Sequence, residues 1–276
     1  MRTIYIQGTG GLGNCLFQIA AAIHYCEKYG YSIVLLYSES LLFGTSNKFD
    51  KTKCLMGSDN NWITYDKTIY KNFKFDYFNY IQVDDTTIKL ENDFTDNRIM
   101  VTGEDIVIGG YNQNLNLFKE YINIIPNYLH LYHDTIREYI TNKYGDISDG
   151  ICVCIRMGSD FTSLSRLVTE SYINALDYYK NAGENMKNIY IISDMPNINT
   201  LFAIHETYKY IEINESDIIQ FYFGLQCKNY ILSESTFHLW IAYLGTISKP
   251  SKNVICFNNT HITNHNLALE NWIKLD

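Results

Sequence analysis

Several absences narrow the chain before any motif is read. Seven cysteines (15, 26, 54, 152, 154, 227 and 256) form no C-x-x-C pair, and their number is odd. They do not read as a disulfide framework. Most sit in apolar runs, which suits buried thiols in a reducing compartment. No run of about 18 apolar residues occurs, so no membrane-spanning helix is expected. No signal peptide is expected either, because Arg2 is followed by a short apolar run and then by glycines. Together these point to a soluble, cytoplasmic protein. Positive charge is also scarce: 22 Lys and Arg stand against 30 Asp and Glu, a net charge of −8. That excludes a general nucleic-acid binder, and any anion site must be local.

What is present is apolar and aromatic. Hydrophobic residues make up 46% of the 276 and aromatics 15%, including 24 Tyr. That is ample for a core, in one large domain or two medium ones.

The most informative stretch is near the start. Ile4-Tyr5-Ile6 reads as a short buried strand, and 19–29 reads as a helix. Between them lie Gly8, Gly10, Gly11 and Gly13. Glycine lets another molecule approach the backbone closely, and a helix N-terminus offers unpaired N–H groups and a partial positive charge. Strand, glycine turn and helix can therefore hold a phosphate or a sugar. Residues 31–37 read as a second strand, with Gly30 before it as a helix C-cap. The βαβ spacing implies a parallel sheet covered by helices.

The polar, aromatic region 38–97 has weak periodicity and predicts loops, short helices and a strand near 80–83. Residues 71–77 read as a strand with one buried face, although their aromatic and basic character also fits an acceptor surface. A strand at 106–108, helices at 114–122 and 134–144, and a polar break at 143–150 follow. The break marks the expected domain boundary.

The second half repeats strand and helix. Strands are expected at 151–155, 188–192, 208–213, 230–232 and 254–257, and helices at 169–181, 216–227, 237–244 and 267–275. Three strand ends stand out. Arg156 follows the first, and its guanidinium can grip a phosphate with two parallel hydrogen bonds; a surface salt bridge fits it equally well in isolation. Asp194 follows the second, where an acid can meet a base edge or a ribose hydroxyl, or can serve in a turn. Ser233-Glu234-Ser235-Thr236 follows a third, offering hydroxyls and N–H groups to an anion, or ordinary N-capping. In a parallel sheet all three fall on one edge, where ligands of such folds bind. Their convergence favours the phosphate reading of Arg156.

These motifs together resemble glycosyltransferase family 11, the α-1,2-fucosyltransferases. Residues Gly10 to Gln18 (G-G-L-G-N-C-L-F-Q) resemble the family's G-G-L-G-N-Q-L-F-Q. Gly110-Tyr111-Asn112-Gln113 resembles G-Y-[FW]-Q. Residues Val153 to Phe161 resemble V-H-[IV]-R-R-G-D-Y with one residue inserted. Ile192-Ser193-Asp194 resembles F-S-D, and Ile231 to Trp240 resembles I-I-S-N-S-T-F-S-W-W. Order and spacing agree over nearly the whole chain.

The resemblance implies an α/β fold of the GT-B type, with two Rossmann-like domains facing across a cleft. The expected division is 1–147 on the acceptor side, 148–260 on the nucleotide-sugar side, and a C-terminal helix in 261–276 packing back on the first domain. It implies inverting, metal-independent transfer of L-fucose from GDP-fucose to a glycan hydroxyl, galactose O2 for the α-1,2 members. The chain has no D-x-D, which agrees with metal independence, and no cofactor is expected beyond the donor substrate. By the same resemblance Arg156 holds the pyrophosphate and stabilises the departing GDP, a contact worth about 3 kcal/mol. Asp194 touches the nucleoside, and Ser233, Ser235, Thr236 and Phe237 line the phosphates. Gly11, Gly13 and Asn14 lie across the cleft near pyrophosphate and acceptor. Asp160 corresponds to the family's acid, displaced by one place.

The chain also departs from the pattern. Cys154 replaces the His near the nucleoside, Met157 the second Arg, Cys15 a Gln, Glu234 an Asn, and His238-Leu239 a Ser-Trp pair. A donor carrying another nucleotide-linked deoxyhexose is therefore a second reading. Asp160, Glu234 and His238 are the candidate general bases. From a different class, Gly8 to Gly13 satisfies the G-x-G-x-x-G of an NAD(P)-dependent oxidoreductase literally, with Glu39 placed for a ribose. That reading leaves Asn14 to Gln18 and the later strand ends without a role. A sugar-binding protein without activity is a third.

Overall fold

The computed structural model describes residues 2–7, 11–36, 69–76, 87–88, 98–102, 105–109, 111–156, 169–194, 202–248 and 253–276. The strand expected near 80–83, Asp160 and Glu39 lie outside them. The chain divides into two compact units, Met1–Leu131 and Tyr132–Asp276.

The first unit is built on a six-stranded sheet. Its strands are β1 (Thr3–Gln7), β2 (Ser32–Leu36), β3 (Lys74–Asp76), β4 (Thr87–Ile88), β5 (Arg98–Thr102) and β6 (Asp105–Gly109), in the order β3-β2-β1-β6-β5-β4. β1 pairs in parallel with both β2 and β6, while β5 runs antiparallel to β6 and β4. Ile4 and Ile6 of β1 are fully buried, as are Phe17, Ile19 and the run Ala20 to Ile23 of the helix Leu12–Tyr29. Gly30 ends that helix with φ 73, a left-handed conformation that glycine adopts without a Cβ penalty, and its N–H reaches Cys26 O at 2.8 Å. The βαβ unit expected from the sequence is therefore present. Residues 114–122, expected as one helix, form two 3-10 turns, Leu115–Leu117 and Lys119–Tyr121. The Asn114 side chain accepts the Asn116 N–H at 3.0 Å, capping the first of these turns.

The second unit carries a sheet of parallel strands: β7 (Ile151–Ile155), β8 (Ile189–Ser193), β9 (Ile211–Glu212), β10 (Asn229–Ile231), β11 (Val254–Phe257) and β12 (Ile273–Leu275). Their order is β12-β11-β10-β7-β8-β9. Taken from its first strand this is the 3-2-1-4-5-6 order of a doubly wound, Rossmann-like sheet. β7 is buried on both faces, which is why its sequence is an unbroken apolar run rather than an alternation. On one face Ile151, Val153 and Ile155 pack with Tyr172, Ala175, Leu176 and Tyr179 of the helix Thr169–Asn181. On the other lie Tyr190 and Tyr230; the Tyr190 ring meets Phe223 at 5.0 Å, and the Tyr230 hydroxyl donates to Gly224 O and Cys227 O at 3.0 and 3.1 Å. The six described cysteines are all buried. Burial pushes the Cys26 thiol up to about 12 and that of Cys256 up to about 11, so both stay protonated.

Two expectations change here. The division falls before the helix Asp134–Tyr144, not in the polar break after it. Glu215 accepts hydrogen bonds from Tyr139, Lys143 and Tyr144 of that helix at 2.9, 2.6 and 2.7 Å, and the Tyr144 ring packs on Phe223 at 5.3 Å. Burial pushes the Glu215 carboxyl up, but its donors outweigh this and hold it below the usual carboxylate value. The C-terminal segment is not a helix at 267–275. It forms the short helix His261–Asn264 and then β12, which pairs with β11 from Ile255↔Ile273 to Phe257↔Leu275. Ile273 and Leu275 pack on the core of the second unit while Lys274 between them is exposed, an alternation of period two that outweighs the helical propensity of the residues before it. The helix Phe202–Thr207 and strands β4 and β5 were not expected from the sequence.

Gly224 of the helix Asp217–Gln226 faces Ile241 of the helix Thr236–Ser248. A Cβ there would stand 2.5 Å from Ile241 Cγ2 and 3.5 Å from Ile192 Cδ1. Gly224→Ala is expected to lower stability by about 1–3 kcal/mol through overpacking. Chemical denaturation followed by tryptophan fluorescence checks this, and a variant as stable as the wild type would show that the helices part without cost.

Candidate active site

In a doubly wound sheet the connections leaving two neighbouring strands depart to opposite faces. A crevice remains beyond their carboxyl ends. In the second unit those strands are β7 and β10, which pair from Asn229↔Ile151 to Ile231↔Val153. Arg156 is the residue after β7, and Leu232 and Ser233 follow β10. β8 pairs with β7 on its other side, through Ile155↔Ser193, and Asp194 follows it. The three strand ends singled out from the sequence therefore stand side by side.

Arg156 and Asp194 form an ion pair, Nε to Oδ2 at 3.2 Å, with side-chain exposures of 28% and 20%. A pair this open to water contributes little to stability. Its consequence is orientation, since it holds the guanidinium at the mouth of the crevice.

The turn after β10 is more enclosed. Leu232 N–H donates to Ile255 O at 2.9 Å, which fixes the exit from the strand. Ser233, Glu234 and Ser235 are buried, and Thr236 and Phe237 are half-buried. The helix Thr236–Ser248 begins here with no acidic residue in its first turn. Phe237 packs on Phe221 at 5.8 Å between ring centroids. Backbone N–H groups, the hydroxyls of Ser233, Ser235 and Thr236, and a nearby guanidinium thus surround one edge of the sheet, an arrangement that suits a phosphate.

Two of the candidate bases are engaged within this turn. Glu234 Oε1 accepts the His261 N–H at 3.0 Å, capping the start of the helix His261–Asn264. His238 is fully buried, with Nδ1 2.7 Å from Ser233 Oγ. Burial, with the charge of Arg156 added, pushes its imidazole down to about 3, so it is neutral at physiological pH. Cys154 lies inside β7 and is fully buried, its Sγ 3.7 Å from that of Cys152. In this structure it shapes the packing beneath the site.

The first unit repeats the arrangement on a smaller scale. Its switch point lies between β1 and β6, both parallel. The helix Leu12–Tyr29 starts beyond β1 at Gly11, which has an extended backbone, makes no side-chain cap bond and is followed by no acid in the first turn. Gly13 is buried and Asn14 half-buried. Beyond β6 come Tyr111, Asn112 and Gln113. Asn112 is fully buried with φ 49, a left-handed turn that Asn tolerates. The turn brings Gln113 Nε2 to Asn14 Oδ1 at 2.8 Å. Two motifs 99 positions apart thus meet in one hydrogen bond. Gln113 was not among the site residues taken from the sequence. The signal was present, because its motif follows a strand that neighbours β1, but the pairing of β1 with β6 could not be read from the chain. Among the described residues no group of three or more His, Cys, Asp or Glu is placed to hold a metal ion.

Comparison with known proteins gives this geometry a family. POFUT1 in complex with GDP is similar over 92% of this chain and 96% of its own at 9% identity, with a TM-score of 0.51. The fucosyltransferase NodZ from Bradyrhizobium is similar over 88% of this chain and 92% of its own, at 13% identity and a TM-score of 0.44. The E. coli heptosyltransferase WaaC with ADP is similar over 100% and 93%, at 9% identity and a TM-score of 0.47. At such identities the likeness to POFUT1 bears on the fold alone, and it agrees with the α/β, GT-B-type reading. No curated protein matches the chain. The description of Glycosyl transferase family 11 matches residues 4–276, essentially the whole length. The chain belongs to glycosyltransferase family 11.

Proposed function

We propose that the chain transfers L-fucose from GDP-fucose to a hydroxyl of a glycan acceptor, with inversion at the sugar carbon and galactose O2 as the accepting position. The observation that carries the reading is the placement of Arg156 beside the Ser233–Phe237 turn at the switch point of the second sheet. Membership of family 11 gives the reaction class. Donor specificity is argued by analogy with POFUT1, which shares the fold and is seen with GDP.

In this reading Arg156 grips the diphosphate and stabilises the charge that grows on it as the glycosidic bond breaks. The turn's hydroxyls and N–H groups hold the remaining phosphate oxygens, and Asp194 orients Arg156 and meets the nucleoside. Asn14, fixed by Gln113, serves the acceptor side with Gly11 and Gly13. Asp160 is the proposed catalytic carboxylate. His238 is a poor base, being buried and neutral with a basicity far below that of water-exposed imidazole, and Glu234 is committed to its cap. Otherwise the departing phosphate itself takes the acceptor proton.

Three outcomes are expected. Arg156→Ala should lower transfer at least 100-fold, on the order of 3 kcal/mol, and weaken GDP binding in calorimetry; unchanged GDP binding would rule out this role for Arg156. A thermal-shift screen should show GDP stabilising the protein more than UDP, dTDP or NADH. A UDP or dTDP preference would assign another deoxyhexose donor, and an NADH preference the oxidoreductase reading. The third concerns pH. His238 takes up a proton near 6.5 when unfolded and only near 3 when folded. Its contribution to stability is complete above pH 6.5 and is lost as pH falls, at about 1.4 kcal/mol per unit. Between pH 7 and 5 the wild type should therefore lose about 2 kcal/mol more than His238→Gln in urea unfolding. Equal losses would place the ring in water.

A further inference from the structure

His238 stands where the resembling motif has a serine, and the proposed reaction gives it no proton to move. Its geometry assigns it other work. The Ser233 Oγ to His238 Nδ1 contact of 2.7 Å joins the first residue of the turn to one inside the first turn of the helix. Glu234, Ser235, Thr236 and Phe237 lie between them, so the bond closes a ring around the segment proposed to meet the phosphates. Both partners are 3% exposed, so water does not compete for the bond. The other supports of the turn are spread around it. Leu239 N–H donates to Ser235 O at 2.9 Å, Glu234 is tied to the His261 N–H, and the Phe237 ring lies against Phe221 and His238. Of these, the Ser233–His238 bond alone spans the turn from side chain to side chain.

We propose that His238 is a positioning residue for the donor diphosphate. By sharing one hydrogen with Ser233 it fixes the conformation of the 233–236 turn beside Arg156, so that hydroxyls and N–H groups are already aimed when the nucleotide arrives. A neutral ring serves this in either tautomer, with Nδ1 accepting the Ser233 hydroxyl hydrogen or donating to its oxygen. An imidazolium would place a second cation next to Arg156 and turn both ring nitrogens into donors. Burial and the neighbouring guanidinium keep it neutral. The inference rests on the donor site proposed above.

The test is a double-mutant cycle in the full chain, with Ser233→Ala, His238→Leu and the pair. GDP affinity is read by calorimetry, kcat and KM for the nucleotide sugar by steady-state kinetics, and folding by thermal midpoint. Each single change should weaken GDP binding and raise the donor KM about tenfold, with the acceptor KM unchanged. The double variant should be no worse than the poorer single. His238→Asn keeps a polar group near the place of Nδ1 and should recover GDP affinity to within about threefold of wild type. Additive effects, or a lowered thermal midpoint with GDP affinity intact, would overturn the proposal by making the bond purely structural. If His238→Leu does not fold, His238→Phe takes its place in the cycle, since it keeps a ring in the cavity, removes both nitrogens and touches no group proposed to line the phosphates. A wild type that binds GDP with both variants unchanged sinks this inference alone. A wild type that binds no GDP sinks the donor site and the inference with it.

Discussion

The site proposed for this chain depends on where two parallel strands part company. β7 has β8 on one side and β10 on the other, and the chain leaves β7 and β10 toward different helices. Beyond those ends come Arg156 after β7 and, after β10, the turn that opens the helix Thr236–Ser248, whose start offers backbone N–H groups. The sheet needs to bury β7 on both faces, and this drives the strand to be wholly apolar. A charged residue can then appear only where the strand stops, as Arg156 does after five buried residues. Core packing and site chemistry are thus one constraint read at two points of one strand.

The first unit solves the same problem with different residues. Where the second has a cation and a serine-rich turn, the first has a glycine-bounded helix start and a pair of amides, Asn14 and Gln113. Amides carry no charge and offer both donors and acceptors, which suits sugar hydroxyls better than phosphate. The distribution of charge between the two switch points therefore parallels the proposed division of labour between donor and acceptor.

The parts of this arrangement that were legible in the sequence were those set by local chemistry. Ile151 to Ile155 could only be a doubly covered strand, Gly30 could only end its helix, and the strand-end residues Arg156, Asp194 and Ser233 were visible as polar residues interrupting apolar runs. What was not legible depended on pairing. The meeting of Asn14 with Gln113 requires knowing that β1 and β6 are neighbours across a hundred residues of chain. The ion pair of Arg156 with Asp194 requires the β7–β8 register. Ile273 to Leu275 carry a three-residue alternation too short to announce a strand, and only the free edge of β11 makes them one. His238 was read as a candidate base because histidine is the commonest one. Its burial and its bond to Ser233, which remove that role, are tertiary facts.

The helix Asp134–Tyr144 shows how a molecule chooses its seam. A polar, glycine-bearing stretch, 143–150, lies after this helix, and a boundary drawn by composition falls there. Three donors on the helix converge on the single carboxylate of Glu215, some seventy residues downstream. Cutting after the helix would strip that carboxylate of every one of these partners at once; cutting before it disturbs none of them. The division at Leu131 and Tyr132 keeps all three of these bonds inside one unit, and a fragment meant to hold the second unit intact has to carry the helix with it.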